Sequence, residues 1–197
     1  MMNRRDALAR VALLMGGAVI GADYFLTGCS PASSDKSKDG ASNFKALDAK
    51  QQAYLDEVGD TILPATKTPG AKAAHVGSFM AVMVRDCYKP ADQEIFTKGL
   101  TQLEEASQKM NGKGFLESTP AQRTALLTAL DAEQKNYAKT KTPEQPNHYF
   151  RMVKELTLLG FFTSEVGATQ ALRYLPVPGK YVGDYPYKKG DRAWATT

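Results

Sequence analysis

Soft metal ligands are scarce in this chain: its 197 residues include two cysteines and two histidines. A four-ligand zinc site would have to enlist all four, and Cys29 belongs to a different motif. The motif CxxCH is missing, which excludes covalent c-type haem. Charge of one sign is not in large excess either. There are 25 Lys and Arg against 21 Asp and Glu, a net +4, and the basic residues are scattered. That leaves no basic face or stripe of the kind nucleic-acid binders carry, so no nucleic-acid partner is expected. Gly16-Gly17 and Gly112-Lys113-Gly114 lack the strand-before, helix-after setting of a phosphate loop. No flavin or nicotinamide fingerprint stands in for one. What remains, 43% apolar and 23% charged, is the composition of an ordinary globular protein with room for one domain. The expectation is a chain with no cofactor, no metal and no redox chemistry of its own.

The first thirty residues read as an address. Arg4 and Arg5 precede the twelve-residue apolar run Val11 to Ala22. As a helix that run rises about 18 Å, short of the roughly 30 Å hydrocarbon core, so it is a signal segment and not a stable span. Paired arginines before a weakly apolar, Gly-containing run resemble a twin-arginine export signal. Ala7 stands where that pattern prefers Phe, and Leu8 fits; an ordinary secretory signal is the other reading. Leu26-Thr27-Gly28-Cys29 resembles a bacterial lipobox. Its small residues admit a peptidase, and the Cys29 thiol accepts a diacylglyceryl group that would hold the mature chain at a membrane surface. Residues 1–28 are therefore expected to be signal and residues 29–46 a lipid-anchored tether. Ser30 to Asn43 has no large apolar residue and cannot offset its chain entropy by burial. Fourteen such residues span roughly 20 Å.

Residues 47–173 read as helices. Leu47, Gln51, Tyr54, Leu55, Val58 and Ile62 keep a 3–4 spacing until Pro64. Pro64 to Gly70 is a loop. Val76, Phe79, Met80, Met83, Val84 and Cys87 form a second stripe. Pro90 opens a third helix that ends at Asn111-Gly112. Thr119-Pro120-Ala121-Gln122 carries a cap, a first-turn proline and a capping-box glutamine for a fourth. A fifth runs from about Asn147 to Phe162, apolar nearly all round and therefore central. A short sixth runs from Ser164 to about Arg173. No alternating strand pattern appears, so the spacing predicts an all-α fold, a small bundle of five to six helices.

Candidate chemistry on these helices is thin. His75 and His148 stand near helix starts, with no nucleophile tied to either. The pairs Asp56/Asp60 and Glu104/Glu105 read as solvated faces. Glu155, beside Lys154 in an apolar helix, reads as a buried carboxylate held in an ion pair or at an interface. Cys87, the thiol left once Cys29 is lipidated, reads as a buried small hydrophobe, with a bridge to another chain as the alternative. No catalytic residue is nominated.

From Tyr174 the chain changes in kind. Tyr174, Tyr181, Tyr185, Tyr187 and Trp194 alternate with prolines and glycines, and aliphatic residues are few. Such an extended C-terminal arm, residues 174–197, cannot make a core and lies well across a surface that already exists. That surface is its own bundle, a partner, or both.

Three segments carry a family resemblance: Asp60 to Val76 (DTILPATKTPGAKAAHV), Lys154 to Lys188 (KELTLLGFFTSEVGATQALRYLPVPGKYVGDYPYK) and Gly190 to Thr196 (GDRAWAT). With the signal, they resemble the gluconate 2-dehydrogenase subunit 3 family. The resemblance implies a small, cofactor-free, non-catalytic helical subunit of a periplasmic flavoprotein dehydrogenase of the glucose–methanol–choline type. The large subunit would carry FAD and oxidise a sugar, sugar acid or polyol, as a gluconate, glucose or glucoside 3-dehydrogenase does, with a cytochrome c subunit often taking the electrons. The small subunit would carry the export signal, so that the folded flavoprotein crosses the twin-arginine translocase bound to it. The lipobox at Cys29 adds membrane anchoring on the periplasmic side. Candidate partner contacts are Phe161, Phe162 and Glu165, then Tyr174, Pro176, Pro178, Tyr181, Tyr185 and Trp194. From another class, the alternative is a lipid-anchored helical module that binds a sugar or other small ligand.

Overall fold

The computed structural model describes residues 46–177 and 179–195. The expectations for Arg4, Arg5, Cys29 and Pro178 lie outside the described residues, as do the signal and nearly all of the tether. Five α-helices make the body: α1 Ala49–Ile62, α2 Val76–Cys87, α3 Pro90–Asn111, α4 Pro120–Thr140 and α5 Tyr149–Thr163. A 3₁₀ turn, Ala71–Ala74, leads into α2, and a π turn, Gly167–Ala171, follows α5. The architecture is all-α, and among the described residues no strand forms.

Local chemistry sets the helix ends. Asp48 and Gln51 close a reciprocal capping box at the start of α1, and Thr119 and Gln122 do the same for α4. Pro90 and Pro120 occupy first-turn positions, where a missing N–H costs nothing. Gly112 ends α3 at φ 71°, a left-handed conformation that suits glycine. The expected sixth helix shrinks to the π turn, closed by the Leu172 N–H donating to the Gly167 carbonyl.

α5 packs against each of the other four helices and both short turns. Tyr149, Phe150, Met152, Val153, Leu156 and Phe161 face inward, where they meet Leu55, Met80 and Phe96. The close approach of α1 and α2 requires Gly77: a Cβ there would overlap the Gln52 carbonyl oxygen. Gly99 on α3 likewise leaves room for the Tyr149 ring.

Two expectations about α1 and α3 need correction. Asp56 and Asp60 are not a solvated face. Asp56 accepts the Gly77 N–H at 2.8 Å and Asp60 the Lys72 N–H at 3.3 Å. The α1 carboxylates thus bond to amides in the first turns of the next two elements, where Gly70 and His75 offer no side-chain cap. Glu104 is half-buried and accepts both the Tyr54 hydroxyl (3.1 Å) and the Phe115 N–H (3.2 Å). Glu105 is exposed, as expected.

Cys87 is exposed, not buried. Val76, Met80 and Val84 form the inward row of α2, while Phe79 and Met83 line its edge. Cys87 extends the edge row into the last residue of the helix, its Sγ 4.0 Å from Met83 Sδ. Glu155 is also exposed. It sits on the outward side of α5, paired with Arg151 at 2.7 Å, so the expected ion pair is present without the burial.

Candidate functional site

The 174–195 segment is a loop clamped at its base. Leaving the π turn, Arg173 donates its N–H to the Ala193 carbonyl at 2.8 Å, and its own carbonyl accepts the Ala195 N–H at 2.7 Å. These two bonds form a parallel bridge between Arg173 and Trp194. Arg192 adds a third tie, its Nη1 donating to the Gln170 carbonyl at 2.7 Å. Side chains reinforce the backbone. The Arg173 guanidinium lies 4.3 Å from the Trp194 ring centroid and 5.4 Å from that of Tyr185, and the two rings meet edge to face at 5.5 Å. Of the two surfaces the sequence allowed, the arm's base therefore takes its own bundle.

Among the described residues, the span between the ends is uncovered. Tyr181 is 94% exposed, Val177 77% and Tyr187 75%. Tyr174, Leu175, Pro176 and Tyr185 are exposed as well. On the neighbouring end of α5, Leu159 is 46% exposed and Phe162 38%, with Glu165 exposed just beyond. Exposed large apolar side chains grouped on one loop are a common feature of contact surfaces.

The candidate contact residues therefore divide. Phe162, Glu165, Tyr174, Pro176, Tyr181 and Tyr185 stand exposed, while Trp194 is half-buried under Arg173. Phe161 belongs to the core at 4% exposed, its ring edge to face with Phe162 at 5.1 Å, and is not available to a partner. Adjacent residues on a helix point about 100° apart, so one phenylalanine faces in and the next out. Sequence reasoning passed over Leu159, Leu175, Val177 and Tyr187 as contacts. It also passed over Arg173, whose position immediately before an aromatic-rich segment was the available signal.

Both histidines are helix-end residues, as expected. His75 is exposed at φ 51° and precedes α2. His148 caps α5, its Nδ1 accepting the Phe150 N–H at 3.2 Å, with its ring stacked on Tyr149 at 4.7 Å. Burial, with the Glu133 charge second, pushes the Tyr149 hydroxyl up to about 12. Burial first, then Glu104, also raises the Tyr54 hydroxyl far above the usual tyrosine range. Tyr54 and Glu104 border a groove of about 560 Å³ that includes Lys50, Gln108 and Glu117. Among the described residues no three His, Cys, Asp or Glu side chains converge as metal ligands would, and no helix is long and apolar enough to cross a membrane.

A helical body that presents a clamped, uncovered loop is the design of a contact-making protein. Residues 49–179 match the family model of gluconate 2-dehydrogenase subunit 3, and the chain belongs to that family. No curated protein and no solved structure matches it. The family is one of dehydrogenase subunits, which places the chain in a larger dehydrogenase complex.

Proposed function

We propose that this chain is the non-catalytic small subunit of an exported, FAD-dependent dehydrogenase of the glucose–methanol–choline type that oxidises a sugar, sugar acid or polyol. It escorts the folded flavoprotein through twin-arginine export and holds it at the periplasmic face of a membrane through lipidated Cys29. A further redox partner takes the electrons, and a cytochrome c subunit is the candidate. The observation that carries this reading is the clamped loop with Val177, Tyr181 and Tyr187 in water, on a chain whose family is a dehydrogenase subunit. Export logic supports it. FAD is available in the cytoplasm, so a loaded flavoprotein must cross folded, and a carrier must grip the outside of a finished fold. Such a grip needs exposed aromatic contact area held rigidly, because each side chain ordered on binding costs about 0.5–1.5 kcal/mol.

A pull-down of the full-length chain from membranes tests it, with the captured proteins identified by mass spectrometry. The expected result is a yellow flavoprotein at one-to-one stoichiometry. Recovery of the chain alone, with a sugar bound in the groove beside Tyr54 and Glu104, would instead establish the small-ligand module. That groove, with the Tyr54 ring and several hydrogen-bonding groups, is what favours the second reading.

A further inference from the structure

The guanidinium of Arg173 is held on the faces of Trp194 and Tyr185, yet its Nε is enclosed with no hydrogen-bond partner. Among the described residues no carboxylate pairs with it. A cation in that state is stacked but under-bonded, and an unpaired buried donor is a cost that native structures seldom leave standing. Nε is enclosed and the residue as a whole is half-buried, so a visiting group would have to meet the guanidinium at its Nη edge. That edge is pre-aimed, since the two rings and the backbone bridge fix the side chain from both ends. The segment is basic on balance: Arg173, Lys180, Lys188, Lys189 and Arg192 outnumber Asp184 and Asp191. Asp191 is already engaged, accepting the Lys188 N–H at 2.9 Å.

We propose that Arg173 is the charged anchor of the docking loop and takes a carboxylate from an acidic patch on the flavoprotein partner. The inference rests on the docking role proposed for the loop and adds the chemistry of the surface that is met. The exposed Val177, Tyr181 and Tyr187 supply contact area. The arginine at the loop base supplies register, because a planar fork bonds a carboxylate in a narrow range of orientations.

The test uses the full-length chain and its co-purified flavoprotein, with the dissociation constant measured across sodium chloride concentrations. Arg173→Met keeps an unbranched side chain on Trp194 and leaves the backbone bridge intact. It is expected to weaken binding by about 30-fold or more and to flatten the salt dependence. Arg173→Lys keeps the charge but loses the fork, so affinity falls while the salt dependence stays. Trypsin cleavage at Lys180 and Lys188 is the control for a loosened loop. Three outcomes would overturn the anchor: unchanged affinity in Arg173→Met; weaker binding with unchanged salt dependence and faster tryptic cleavage, the mark of an internal staple; or loss of binding to phosphatidylglycerol vesicles with flavoprotein affinity intact. A triple variant, Val177→Ser, Tyr181→Ser and Tyr187→Ser, separates the two levels. If it binds the flavoprotein normally, the docking reading itself fails. If it fails to bind while Arg173→Met binds, only the anchor does.

Discussion

Lys154 on α5 reaches across to Asp131 on α4, Nζ to Oδ1 at 2.6 Å. The same carboxylate receives Lys135 at 2.7 Å and the buried Gln134 amide at 3.1 Å. Hydrogen bonds from Lys135 first and Lys154 second hold Asp131 far below the usual carboxylate range. One acidic side chain thus joins the central helix to its neighbour. The carboxylate is favoured in the fold, so its stabilisation is complete above its unfolded value of about 4 and fades as pH falls toward the lower folded value. Asp131→Asn is expected to lose about 1 kcal/mol at neutral pH, a Tm drop of about 2–4 °C. The gap from the parent should narrow in melts below pH about 4. A gap that stays constant from pH 7 to pH 2 would refute the assignment.

Phe150 is fully buried in the α5 core. Phe150→Ala should cost about 3–5 kcal/mol, read as a shifted denaturant midpoint. Leu159→Ser, on the exposed side of the same helix, should stay within about 0.5 kcal/mol.

Gly77 cannot carry a side chain without pushing α2 off the Gln52 carbonyl. Gly77→Ala is expected to destabilise by about 1–3 kcal/mol despite alanine's better helix propensity. An increase in Tm would show that the two helices separate freely.

Cys87 lies in water at the end of α2. It should be labelled by a thiol reagent in the folded protein without denaturant, and Cys87→Ser should leave Tm unchanged. Labelling seen only in denaturant would restore the buried reading.

Arg4→Lys together with Arg5→Lys is expected to leave the flavoprotein in the cytoplasm with FAD bound. Cys29→Ser should release an active complex from the membrane fraction. Fractionation with flavin fluorescence reads both, and normal export in the arginine variant would exclude the carrier role.

Helix positions were legible because their determinants are local. Pro90, Pro120, the Thr119–Gln122 capping box and the 3–4 spacing of apolar residues act within a turn or two, so the chain announces them without a fold. Solvent exposure at an edge is different. Cys87 and Glu155 sit in apolar surroundings by sequence, and only the packing of neighbouring helices decides which side of the stripe meets water. Asp56 reads as one more surface acid until α2 begins beside it, because a cap supplied by another helix has no sequence spacing to betray it.

By itself the sequence determined an all-α body, its helix ends and an aromatic tail unable to make a core, since propensity, capping and composition are properties of short stretches. The tertiary structure alone decided that this tail is tied back at Arg173 and Trp194. Residues twenty-one positions apart meet only when the π turn after α5 gives the returning chain backbone groups to bond, and that meeting turns a loose tail into a loop with an outward face.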